Sequence, residues 1–255
     1  TRMALSIDSV LQLELVEKAL AEGTGKGVQV ALLDTGVETS HPALENSVMG
    51  CWEVKQTPSG MKCEEVEGLD PVGHGTACAG IIHQHAPEAE IFSIRVIGGN
   101  AQGTGEQFVY GLHWAIEQGF KVLNLSLGTL QHRYQAPLLE LVDRAYYSGI
   151  CVVAAAHNRH QVSFPSQFAS LIAVDNQSFE SDPLAFNYIL NTSIETEGHG
   201  VYVRAPSSGG QYKLWTGTSF ATPHITAVVA RLLSVMPELT PFEVKTLLRA
   251  LRANR

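Results

Sequence analysis

At 255 residues, 45% of them hydrophobic, the chain is long enough to bury one continuous core, and a single domain over residues 1–255 is expected. Its 17 Lys+Arg against 25 Asp+Glu leave a formal net charge of −8, and no basic run could follow a phosphate backbone or hold an anionic membrane surface, which excludes nucleic acid as a partner. The longest apolar runs, such as Ile150 to Ala156, are strand length and far too short to span a bilayer.

Residues Val10 to Ala21 carry a helical period that Gly23, Gly25 and Gly27 break. The nearly continuous apolar run Val28 to Leu33 reads as a strand buried on both faces, and it ends on Asp34-Thr35-Gly36. Pro42 to Val72 mixes Gly, Pro and acidic residues and predicts loops and short elements. Gly73-His74-Gly75-Thr76 leads into small and apolar residues that predict a buried helix with His74 at its start. A strand is predicted at Ile91 to Val96, a glycine-rich loop at Gly98 to Gly105 and a helix at Phe108 to Gln118. Val122 to Ser126 predicts a strand, Pro137 to Tyr147 a helix, and Ile150 to Ala156 a strand that runs out at His157-Asn158. Further strands are expected at Leu171 to Val174 and Val201 to Ala205. Thr240-Pro241-Phe242-Glu243 is a capping box with proline at the first helical position, opening a helix through Leu251.

Strands alternating with helices imply an α/β fold in three layers, a largely parallel sheet flanked by helices. In such a sheet the carboxyl ends of the strands lie along one edge, and Asp34, Ser126 and Asn158 each come at or just after a strand end, facing a shared crevice. Cys78 and Cys151 sit in apolar runs and read as small core residues. Cys51 and Cys63 flank Trp52 to Lys62, either closing a loop as a disulfide or standing as free thiols, a choice that redox compartment decides. His83-Gln84-His85 with Glu88 and Glu90 reads as a solvated loop rather than a metal site. Asn191-Thr192-Ser193 fits a glycosylation sequon.

The stretch Gly217-Thr218-Ser219-Phe220-Ala221-Thr222-Pro223-His224 puts a serine where a loop becomes a helix, with Pro223 expected in the opening turn, where a backbone N–H has no intrahelical partner to lose. Alone, such a serine is an N-cap. Asp34, His74 and Ser219 together, however, are the three residue types of nucleophilic acyl transfer. The hydroxyl needs an imidazole to take its proton, and the imidazole needs a carboxylate to hold its tautomer.

Asp34-Thr35-Gly36 with His41-Pro42, Gly73-His74-Gly75-Thr76 with Ala79-Gly80, Asn124 to Gly128, and Gly217 to His224 resemble, in order, the blocks of the subtilisin-like serine proteases. The resemblance covers nearly the whole chain. It implies the family's largely parallel seven-stranded sheet, Asp34 as the orienting carboxylate, His74 as general base then acid, Ser219 as nucleophile and Asn158 as oxyanion donor. It also implies that Ser126, Leu127 and Gly128 on one side, and Gly103, Thr104 and Gly105 on the other, clamp an extended peptide. The segment after Asn158, with Arg159 and Ser163, is expected to wall the pocket for the residue before the cleaved bond, Arg159 favouring an acidic side chain there. His157 stands where the family usually has glycine, and it is strained if that position needs φ > 0.

By the same resemblance no organic cofactor is required. A structural calcium is in keeping with the family, but the usual tight-site loop is absent. The partners are a peptide or protein substrate and a pro-segment or inhibitor, and the enzyme is monomeric and secreted or extracytoplasmic, with a cytoplasmic location as the alternative. The start at Thr1, without a charged-then-apolar leader, fits a chain from which such a segment was removed. Two rival readings share the fold: a transpeptidase or macrocyclase, with Cys51 to Val72 lying over the cleft to keep water from the ester, and a non-catalytic peptide-binding module.

Overall fold

The computed structural model describes residues 13–98 and 103–252; of the predicted elements, the first turn of the leading helix and the middle of the glycine-rich loop lie outside them. Helix α1 (Leu13–Glu22) leads to β1 (Gln29–Asp34), β2 (Val48–Thr57), β3 (Gly60–Glu65), α2 (His74–His85) and β4 (Glu90–Arg95). Then come α3 (Gly105–Gln118), β5 (Val122–Leu125), α4 (Gln135–Tyr147), β6 (Cys151–Ala155) and β7 (Ile172–Gln177). Short strands β8 (Asn187–Tyr188) and β9 (Thr196–His199), the hairpin β10 (Val203–Ser207) and β11 (Gln211–Trp215), and helices α5 (Thr218–Val235) and α6 (Pro241–Leu251) complete the chain.

The main sheet has nine strands in the order β3-β2-β4-β1-β5-β6-β7-β9-β8. From β2 to β9 every neighbouring pair is parallel, while β3 and β8 are antiparallel additions at the two edges. Alternation along β1 shows why both faces must be covered. Val30 and Leu32 face α1, α2, α5 and α6, whereas Ala31 and Leu33 face α3 and α4, and all four are fully buried. Each such large side chain contributes roughly 1.5–3 kcal/mol relative to exposure. Helix α6 starts at the predicted capping box, Thr240 accepting from Glu243 N, and α3 opens on a second one, formed by Thr104 and Gln107.

Several expectations are corrected. Pro42 to Val72 holds a ten-residue strand and its hairpin partner rather than loops, because β2 pairs with β4 in register Trp52↔Ile94 and β3, whose residues are mostly polar, closes the sheet's edge beyond it. Val201 to Ala205 becomes β10, which pairs only with β11, outside the main sheet. Of the two alternatives left open for Cys51 and Cys63, the structure has the free thiols. Cys63 stands opposite Val54, three residues along β2 from Cys51, and an odd offset puts the two thiols on opposite faces of the sheet.

Pro223 is also deeper than expected. Helix α5 begins at Thr218, so Pro223 is its sixth residue, and the N–H it lacks would have bonded the Ser219 carbonyl. That carbonyl instead accepts from the Ser126 hydroxyl at 2.8 Å and the Cys78 thiol at 3.4 Å. The proline thus frees a carbonyl that side chains from the residue after β5 and from α2 use to hold the helix start.

Candidate active site

The carboxyl edge of the sheet collects the predicted polar groups. Asp34 is the last residue of β1, 1% exposed, and its Oδ1 accepts both its neighbour's amide (Thr35 N, 2.7 Å) and His74 Nδ1–H (2.7 Å). His74 opens α2 with its side chain 22% exposed. Burial works against a protonated imidazole, but the Asp34 carboxylate, and then Cys78, outweigh it and shift the His74 pKa upward, so charge on the ring is stabilised. Phe220 packs on the ring at 5.1 Å between centroids and Trp215 meets it edge-on at 6.3 Å, restricting its rotation.

A residue passed over as loop in the sequence ties this pair together. Buried Asp70 accepts from Thr35 Oγ1 (2.8 Å), Thr76 N (2.9 Å) and Thr76 Oγ1 (2.7 Å), and Thr35 Oγ1 in turn accepts from Gly75 N (3.0 Å). It therefore fastens the turn after Asp34 to the first turn of the His74 helix. Its position four residues before His74, followed by a proline, was the available signal.

Ser219 is the second residue of α5, half-buried at the mouth of the crevice. Its hydroxyl donates to the Ser126 carbonyl at 3.1 Å and not to the imidazole. A hydroxyl has a single proton, and the strand-end carbonyl holds it in this rotamer. The backbone beneath is fixed by a buried chain of side chains: Thr226 Oγ1 donates to Asn124 Oδ1 (2.8 Å), Asn124 Nδ2 to Ser126 Oγ (2.9 Å), and Ser126 Oγ to the Ser219 carbonyl. Asn124 stood in one of the family blocks without a role, and Thr226 did not stand out in the sequence, since the two partners lie 102 positions apart.

Asn158 follows β6, and its Oδ1 accepts from Thr218 N (2.9 Å) and Thr218 Oγ1 (3.3 Å). The carbonyl end of the amide is held there, and Asn158 and Ser219 both line one pocket. Gly217, at φ 150°, leaves room for this: a β-carbon on it would stand 3.0 Å from Asn158 Oδ1. His157 has no positive φ, so the expected strain is absent; the left-handed residue of this turn is His160, at φ 51°.

One cavity lies at Ser219, and a second adjoins it through Leu127 and Gly128. A pocket of about 120 Å³ is lined by Ser126 to Gly128, Ala155 to Asn158, Ser163, Thr218 and Ser219. A larger groove of about 510 Å³ runs between Gly103, Thr104 and Gly105 on one side and Leu127 to Gln131 on the other. Arg159 lines neither: it is exposed on the turn closed by His160 N donating to His157 O, which carries its side chain outward. The expectation that it walls the pocket is corrected accordingly. Among the described residues Asp34, His74 and Cys78 alone bring three ligand-type atoms within 4.8 Å of one another. That oxygen, nitrogen and sulfur set does not suit calcium, which takes oxygen ligands.

A carboxylate-held imidazole, a hydroxyl at a helix start and an anchored amide around a cleft can together move acyl groups through a serine ester. The profile of the subtilase family matches residues 25–251. The chain is 30% identical to subtilisin DY of Bacillus licheniformis over 254 residues, covering 93% of this chain and 88% of that one. It is 32% identical to thermitase of Thermoactinomyces vulgaris, covering 82% of this chain and 76% of that one. Against subtilisin NAT of Bacillus subtilis subsp. natto the identity is 30%, and the chain spans 59% of that relative's length. A solved cold-adapted subtilisin-like serine proteinase superposes with a TM-score of 0.73 at 26% identity, covering 90% of this chain and 83% of that one. Sphericase, at 24% identity and a TM-score of 0.75 over 92% of this chain and 88% of that one, shares the fold. The chain belongs to the subtilase family of serine endopeptidases. Among the described residues no helix is long and apolar enough to cross a membrane.

Proposed function

We propose that this chain is a single catalytic domain that hydrolyses peptide bonds in peptides or proteins through an acyl-enzyme on Ser219. In this reading Ser219 Oγ turns from the Ser126 carbonyl to the imidazole, a rotation about one side-chain bond, and apo geometry of this looseness is common in catalytic pairs. His74 takes the hydroxyl proton as Oγ bonds to the scissile carbonyl carbon, and the displaced electron pair settles on the carbonyl oxygen. Asn158 Nδ2–H and the Ser219 N–H, one of the donors a helix start leaves free, meet that oxygen. Collapse expels the amine, which takes the proton from His74. Water then repeats the sequence on the ester and releases the acid. Asp34 stays ionised throughout and steadies the imidazolium.

The observation that carries the reading is the Asn158 amide. Its oxygen is committed to Thr218 and the residue lines the small pocket together with Ser219, which supports its N–H groups as the donors to the oxyanion. Of the segment offered for a transpeptidase, Cys51 to Val72, the part through Glu65 belongs to the β2–β3 hairpin, which Gln107 Nε2 ties to α3 through the Val54 carbonyl, the loop after it carries Asp70, and no residue of the segment lines the pocket at Ser219 or the adjoining groove. That placement favours hydrolysis over capture of the ester by an amine. By the family's habit we place the enzyme outside the cytoplasm as a monomer, with a pro-segment or inhibitor as its further partner. Ser219→Ala is expected to abolish both peptide cleavage and labelling by a serine-directed phosphonyl reagent with the circular dichroism spectrum intact. Labelling retained in that variant refutes the assignment.

A further inference from the structure

At the edge of the sheet opposite Ser219, the amino ends of β7 and β9 and the helix α6 bring carbonyl and carboxylate oxygens around one positive centre. We infer that this is a cation site whose occupant is the chain's own Lys245 ammonium, and that removing the lysine opens a calcium site where the native protein needs no ion.

The oxygens come from two segments that the sheet holds together. Ala169 and Leu171, in the turn before β7, both accept from Lys245 Nζ through their carbonyls, at 2.7 and 2.6 Å. Ser170 between them donates its hydroxyl to Asp143 on α4, which anchors the turn. Glu195, immediately before β9, sets its Oε1 2.7 Å from the same nitrogen. β9 pairs with β7 in register Val174↔Thr196, so the ladder keeps the carboxylate beside the two carbonyls. Lys245 arrives from α6, which buried Val244, Leu247 and Leu248 hold against the core.

Two carbonyls and a carboxylate at 2.6–2.7 Å are the donors that suit a hard cation, since calcium takes the same oxygen types at about 2.3–2.6 Å. The carboxylate needs a positive neighbour there, because it is 8% exposed and burial pushes its pKa up. The ammonium supplies that charge and three N–H donors, one for each oxygen. Tethered to α6, it loses no translational freedom on entering the site, and a chelator cannot withdraw it. The cradle opens to solvent through a pocket lined by Tyr188, Glu195, Lys245 and Arg249, by which an ion and its remaining water ligands could enter once the lysine is gone. Exposed Arg249, one turn along α6, shares that pocket, and its charge keeps the expected calcium Kd of the vacated site weak, on the order of 10⁻³ M.

The test is thermal unfolding of the parent, Lys245→Ala and Lys245→Met, all in a Ser219→Ala background that prevents self-digestion. Calcium chloride is raised to about a hundred times that Kd, with potassium chloride at matched ionic strength in parallel. Alanine empties the cradle, whereas methionine refills it with an apolar chain. The alanine variant is expected to gain roughly 5–10 °C of Tm from calcium beyond what the parent gains, and the methionine variant to respond as the parent does. Calcium bound elsewhere moves all three proteins alike and cancels in the comparison. A rise in the alanine variant no larger than the parent's, one that potassium chloride matches, or one that the methionine variant shares overturns the inference. An alanine variant that stays unfolded at every calcium concentration overturns it too. None of these outcomes touches the assignment of Ser219.

Discussion

Acid should weaken this protein through one buried histidine. His224 lies in α5, 2% exposed, with Nδ1 donating to the Phe220 carbonyl at 2.8 Å. The His85 and His199 rings stand 5.1 and 5.3 Å from it, with Arg231 and Asp182 beside His85 and Glu180 beside His199. Burial, and then the neighbouring His85, hold the His224 pKa down at about 3 from 6.5, so the native state keeps the ring neutral where the unfolded chain would protonate it. A depressed histidine pKa means that stability is full above 6.5 and falls as the pH drops below it. The slope for one proton is about 1.36 kcal/mol per pH unit, which gives a loss of about 2.5 kcal/mol between pH 7 and pH 4.5 from His224. His85 and His199, also lowered chiefly by burial, add to it in the same direction.

The assay is denaturant unfolding at both pH values in a Ser219→Ala background, which removes self-digestion. His224→Asn keeps a donor for Phe220 and cannot titrate, so its stability should differ between pH 7 and pH 4.5 by about 2.5 kcal/mol less than that of the parent. The comparison uses the pH slope, so any constant cost of the substitution cancels. Equal slopes in the two proteins would refute the reasoning.

Two further outcomes are expected. Asn158→Ala should lower kcat by about 10²–10³ with little change in KM, a magnitude established on subtilisin itself and carried to this chain; steady-state kinetics on any cleaved peptide amide checks it. Lys245 pairs with Glu195 at 2.7 Å, side chains 20% and 8% exposed, and burial already pushes the Glu195 pKa up. Lys245→Met should therefore cost about 3–5 kcal/mol at pH 7, shrinking as Glu195 takes a proton at lower pH, as unfolding at several pH values would show.

The readings that needed only local pattern were legible from the chain. The run Val28 to Leu33 declared a strand covered on both faces, and Thr240 to Glu243 declared a helix start, because period and capping are written in neighbouring residues. The order Asp34, His74, Ser219 with its flanking blocks pointed to the family, since those residue types are set by chemistry. Tertiary structure alone decided the matters of partner and direction. It paired β2 with β4 and so put Cys51 and Cys63 on opposite faces, and it brought Asp70 under both Asp34 and His74. It sent Arg159 outward and seated the Ser219 hydroxyl on the Ser126 carbonyl. It also used Pro223 to free a carbonyl for Ser126 and Cys78. Each of these depends on which distant segment closes a loop against which. Loop closure is paid in chain entropy and decided by packing of the whole, and leaves no local periodic trace in the residues that meet.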